Sequence, residues 1–119
     1  MSVSSYRDLV AWQRGMQLAK IVYLLARRLP KEEMYALSDQ MRRAAVSIPS
    51  NIAEGFVRNS TKEYVQFLSI AKGSAAELQT QLLLSVDVEY LTSDCIQDSM
   101  DKSNEVIKML STMIKKLSP

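Results

Sequence analysis

The chain contains no histidine and a single cysteine, Cys95. These shortages remove much of the usual catalytic and metal chemistry. Without histidine there is no Ser-His-Asp triad, no His-paired thiolate and no Glu-x-x-His metal motif. One cysteine cannot build a structural zinc site or an internal disulfide. Cys95 reads as a small buried apolar residue in a reducing cytosol rather than as a nucleophile. Glycine and proline number three each, which leaves little turn chemistry for a many-stranded fold. No apolar run reaches the ~18 residues of a membrane span. The start, Met1 to Asp8, lacks the basic and apolar regions of a signal peptide. A phosphate loop is missing too: Ala71-Lys72-Gly73-Ser74 ends like one but lacks its first glycine and falls inside a helical pattern. The expectation is a cytoplasmic protein that is no enzyme, holds no cofactor or metal and does not cross a membrane.

What is present points to helices. Hydrophobic residues make up 47% of 119, so the chain can bury a core as one domain spanning 1–119. Apolar residues recur at steps of three and four in four segments. The first, about 6–29, carries Leu9, Trp12, Met16, Ala19, Tyr23 and Ala26 on one face and stops at Pro30. The second, about 32–54, carries Met34, Leu37, Met41, Ala44, Ile48 and Ile52 and ends at Gly55, with a kink expected at Pro49. The third, about 60–90, opens on the capping pattern Ser60-Thr61-Lys62-Glu63 and buries Tyr64, Leu68, Ala71, Ala75, Leu78, Leu82 and Val86. The fourth, about 93–117, buries Ile96, Ser103, Ile107, Leu110, Ile114 and Leu117. Short connections make successive helices antiparallel neighbours. The fold class is therefore all-α: an antiparallel, up-and-down, left-handed four-helix bundle with a kinked second helix.

Polar residues add a second pattern. Gln40, Arg43, Ser47, Asn51 and Glu54 form a stripe beside the apolar face of the second helix, and Ser74, Glu77 and Gln81 form one on the third. An ordinary solvated face explains them. So does a network of Gln40, Arg43, Asn51, Glu54 and Glu77 that sets helix register, with Arg43 meeting Glu77. Gly73 lies mid-helix at a cost of ~1 kcal/mol against alanine, which implies close packing of another backbone, in the bundle or between subunits. The third helix has a further apolar flank, and that favours an oligomer. Charge is uneven. Residues 1–62 hold ten Lys/Arg against five Asp/Glu, and 63–119 hold five against eight. Arg42, Arg58, Lys62 and Lys72 are candidate contacts to RNA or DNA, sequence-independent and salt-sensitive.

Residues Gln40-Met41-Arg42-Arg43-Ala44-Ala45-Val46-Ser47-Ile48-Pro49-Ser50-Asn51-Ile52-Ala53-Glu54-Gly55 resemble the signature of a four-helix-bundle family first noted in proteins encoded by intervening sequences of bacterial 23S ribosomal RNA genes. Leu9 to Gln13, Tyr35 to Leu37 and Glu63 to Leu78 fit as well, so the resemblance covers almost the whole chain. It departs at Val57, near which the family often has a second glycine, and at Lys72, where it often has arginine. The resemblance implies a ring-shaped homopentamer. It also implies a relation to an accessory protein of diversity-generating retroelements, whose ring binds a reverse transcriptase and nucleic acid. It does not imply a ribosomal component. The expected function is a non-enzymatic homo-oligomeric scaffold or adaptor, with itself, another protein, or RNA or DNA as partners. The alternative is a nucleic-acid-binding oligomer.

Overall fold

The computed structural model describes residues 3–118. Among them are four α-helices and no strand: α1 Val10–Ala26, α2 Leu37–Phe56, α3 Thr61–Asp87 and α4 Ser93–Leu117. Each helix packs on the two beside it, and the diagonal pairs α1/α3 and α2/α4 do not approach. The bundle measures 44 × 24 × 22 Å. Its length matches the roughly 40 Å of a 27-residue helix.

The interior is aliphatic and small. Leu18 and Val22 from α1, Met41 and Ile48 from α2, Leu68, Leu78 and Leu82 from α3, and Val106 and Leu110 from α4 are fully buried. Each such side chain stabilises the fold by about 1.5–3 kcal/mol through removal from water. The expected faces of α3 and of most of α2 are the buried ones. That of α1 is rotated. Its core positions are Ala11, Gly15, Leu18, Val22, Leu25 and Ala26; of the expected face Ala26 is buried, Leu9, Trp12 and Ala19 are half-buried against the core, and Met16 and Tyr23 stay exposed. Both sides of α1 are apolar, so spacing alone does not tell which one faces inward.

Helix ends also differ from expectation. Tyr6–Asp8 forms one tight 3-10 turn and Leu9 is extended, so α1 begins at Val10. Folding back in this way sets the Tyr6 ring edge-on to Trp12 at 5.3 Å, and Gln13 Nε2 donates to the Arg7 carbonyl at 2.8 Å. Before α2, Lys31–Glu33 makes another single turn, and Ala36 breaks the backbone at φ −123, ψ −108. One oxygen of Glu33 then accepts the N–H of Leu37 at 3.2 Å, and the other accepts the Tyr90 hydroxyl at 3.0 Å. A carboxylate thus meets the N-terminus of α2, where the helix dipole favours it.

α2 continues through Pro49 to Phe56. Bare Gly15 lets α1 come close there: a Cβ would meet Ile48 at 3.3 Å and Pro49 at 3.5 Å. Gly55 is not a left-handed stop, since no glycine has positive φ. It lies inside the last turn, and its missing side chain admits α3. Ser60 caps α3 by accepting the Glu63 N–H at 3.1 Å. At the far end Glu89 takes φ 66, and the N–H groups of Glu89 and Tyr90 bond back to Val86 and Ser85, closing a Schellman motif. Thr92 caps α4 through the Cys95 N–H, and the Thr92 N–H donates to Cys95 Sγ at 3.3 Å. Cys95 is therefore a half-buried capping residue rather than a buried core one.

Candidate functional site

The four helices present very different outer faces. Large exposed hydrophobic residues lie on α1 (Val10, Met16, Tyr23, Leu24), on α2 (Val46) and on α3 (Ile70, Leu83, Leu84). Among the described residues α4 has none. Its outer face is Gln97, Asp98, Asp101, Asn104 and Lys108, an ordinary solvated surface laced by the Gln97–Asp101 and Lys102–Asp98 contacts.

Between α1 and α2 the apolar residues form a groove. Trp12, Met16, Ala19 and Tyr23 make one wall, and Val46, Pro49, Ser50 and Ala53 make the other. Small residues at 50 and 53 keep the α2 wall low. At one end of the groove stand Tyr23, Asp39, Arg42 and Arg43. Asp39 takes Arg43 Nε at 2.9 Å and Arg42 Nη2 at 3.8 Å, so two cations share one carboxylate. That end carries a surplus positive charge.

The seam between α2 and α3 holds a compact polar cluster. The hydroxyls of Ser47 and Ser74 lie 2.7 Å apart, and Asn51 Nδ2 donates to the Ser47 carbonyl at 2.7 Å and to its Oγ at 2.8 Å. Of the five residues expected to form a register-setting network, only Asn51 belongs to it. Arg43 is 79% exposed at its side chain and pairs with Asp39, one turn away on its own helix, rather than with Glu77. The neighbour on the same helix is reached with less ordering of both chains. Glu54 pairs with Arg58 at 2.8 Å, again one turn away. Gln40 is exposed beside Leu84 and Tyr90. Glu77 is exposed and makes no ion pair among the described residues.

Gly73 does not serve close packing within this chain, because a Cβ added there meets nothing within 4 Å. Its helix cost of ~1 kcal/mol is therefore uncompensated inside one chain. Close packing falls instead to Gly15 and Gly55.

The candidate nucleic-acid residues do not gather into one patch. Arg58 lies over the Phe67 ring at 4.8 Å while paired with Glu54. Arg42 lies fourteen residues before the end of α2, about 21 Å along the helix from it, and donates to the Met34 carbonyl at 3.0 Å. Lys62 and Lys72 are exposed on α3 without ion pairs among the described residues. No group of three or more His, Cys, Asp or Glu side chains among the described residues is placed to hold a metal ion. No helix of the described residues is long and apolar enough to cross a membrane.

Sequence reasoning missed two features of these faces. The Ser47–Ser74 bond carries no local signal, since the residues are 27 apart in the chain. The outward residues of α1, Met16 and Tyr23, carry a periodic signal that is the same for an inner and an outer apolar face.

Comparison with known proteins gives a consistent placement. None of the curated proteins matches. A solved structure of a protein of unknown function from the S23 ribosomal protein family of Bacteroides thetaiotaomicron is similar, with a TM-score of 0.83 and 27% identity, covering 89% of this chain and 99% of that one. The model of the family described as 23S rRNA-intervening sequence protein matches residues 7–112. With the signature of α2 and the four-helix arrangement on the same residues, the chain belongs to the 23S rRNA-intervening sequence protein family.

Proposed function

We propose that this protein is a non-enzymatic subunit of a homo-oligomer, a cytoplasmic scaffold or adaptor whose α1, α2 and α3 face neighbouring copies while α4 faces solvent. The observation that carries this reading is the lopsided distribution of exposed hydrophobic side chains, present on three helices and lacking on the outer face of the fourth among the described residues. A four-helix bundle needs only one apolar stripe per helix for its own core. A second stripe on α1 and α3 exposes apolar surface that association would remove from water. The pentamer implied by the family resemblance is the expected assembly.

Native mass spectrometry of the purified, nuclease-treated protein tests this directly. A species of five times 13.4 kDa is expected. Monomer alone at micromolar concentration rejects the reading. If an assembly survives only without nuclease, nucleic acid holds it together, and the alternative of a nucleic-acid-binding oligomer takes its place.

A further inference from the structure

Resting on the oligomer reading, we infer that the contact is head-to-tail: α3 of one copy lies in the groove between α1 and α2 of the next, and Arg43 there pairs with Glu77 of the incoming helix. Three observations converge on this second copy as the occupant. The first is shape. The α1/α2 groove is walled by Trp12, Met16 and Tyr23 on α1, and its α2 wall is kept low by Ser50. The outer face of α3 is a ridge that is thinnest at Gly73, where a side chain would point into open space. A glycine in the middle of a 27-residue helix with no intrachain reason gains one if another backbone passes over it.

The second is charge. The groove end carries Arg42 and Arg43 against a single carboxylate, Asp39, and the outer row of α3, Gln66, Ile70, Gly73 and Glu77, carries one acid and no base. Locally, Arg42 and Arg43 share the one carboxylate of Asp39, whereas Glu77 is exposed and unpaired among the described residues. Pairing either face with itself would oppose like charges, and pairing one with the other neutralises both.

The third is register. On α2 the outward positions Arg43, Val46, Ser50 and Ala53 step by three, four and three; on α3 Glu77, Gly73, Ile70 and Gln66 step by four, three and four. Run antiparallel, Arg43 falls opposite Glu77, and Val46 and Ser50 fall opposite Gly73 and Ile70. Such a contact uses a different patch on each side, so it propagates from copy to copy and closes when the rotation per step permits a ring.

A mixing experiment separates this arrangement from a two-fold one. Gly73→Gln blocks the ridge, and Val46→Glu blocks the groove. Each variant alone should be a monomer with native helicity by circular dichroism, and an equimolar mixture should give a one-to-one dimer through the one remaining good pair of faces. If Gly73→Gln loses helicity, Ile70→Glu replaces it. Homodimers of either single variant, an assembly unchanged from the parent, or a mixture that stays monomeric would overturn the inference while leaving the parent oligomer standing. A monomeric parent protein would remove the underlying reading as well. Arg43→Glu and Glu77→Arg should each weaken association by about tenfold or more, and the double variant should recover most of that loss.

Discussion

A Cβ placed on Gly55 would lie 2.7 Å from the Cβ of Phe67, with the Tyr64 carbonyl oxygen at 3.3 Å. Neither neighbour is the free end of a flexible side chain, so α2 and α3 must separate to admit it. Gly55→Ala should lower stability by about 1–3 kcal/mol through overpacking, reduced by the roughly 0.5–1 kcal/mol that alanine returns to a helix. Urea unfolding measures the balance, and an unchanged or raised midpoint would contradict the packing role.

Glu89 occupies the left-handed position of the Schellman motif at φ 66, a site that usually belongs to glycine. Glu89→Gly should raise stability by about 0.5–1 kcal/mol, the relief of Cβ crowding less the extra chain entropy of glycine. Thermal melts of the two proteins side by side check the sign.

Tyr90 donates to Glu33, and the same carboxylate caps α2. That hydrogen bond, with burial and the charges of Glu33 and Glu32, raises the Tyr90 pKa above its ordinary 10.0, and burial raises that of Tyr64. A raised tyrosine pKa in the folded state means that the native form holds its proton longer than the unfolded form. The stabilisation is complete below pH 10 and is lost as pH climbs through the raised values. Melting temperature should therefore fall as pH rises above 10, and Tyr90→Phe should flatten that fall while lowering stability at neutral pH.

Arg43 tests where the signature residues act. Its side chain is 79% exposed, and its ion pair with Asp39 is a surface pair one turn apart. In a Val46→Glu background, monomeric under the head-to-tail arrangement, Arg43→Ala should change unfolding free energy by no more than about 0.5 kcal/mol. A loss of several kcal/mol would place Arg43 in a buried network inside the chain.

Much of the bundle was legible from apolar spacing. On α3, Leu68, Ala71, Ala75, Leu78 and Leu82 recur at helical intervals, and all are buried. On α1 the same rule chose the wrong phase, because Trp12, Met16 and Tyr23 outweigh Ala11 and Gly15 in hydrophobicity although the small residues fit the tight α1/α2 contact. Spacing cannot tell an inner apolar face from an outer one when a helix has both. The polar stripe of α2 was legible as a stripe but not by partner. Asp39, four residues before Arg43, competes with any partner across the bundle, and only three-dimensional placement joins Ser47 to Ser74. Glycine roles were equally hidden. Gly55 reads as a helix stop and Gly73 as a close-packing site, yet Gly55 lies inside the last turn of α2 against Phe67 and Gly73 faces open space.

Hydroxyl-radical footprinting of Met16 across a dilution series is the most direct test that the outer face of α1 is covered by another copy. Met16 is 47% exposed in a single chain. Slow oxidation at high protein concentration that accelerates on dilution to monomer, with the solvated face of α4 unchanged as the internal standard, is the expected result. Fast oxidation of Met16 at every concentration would contradict it.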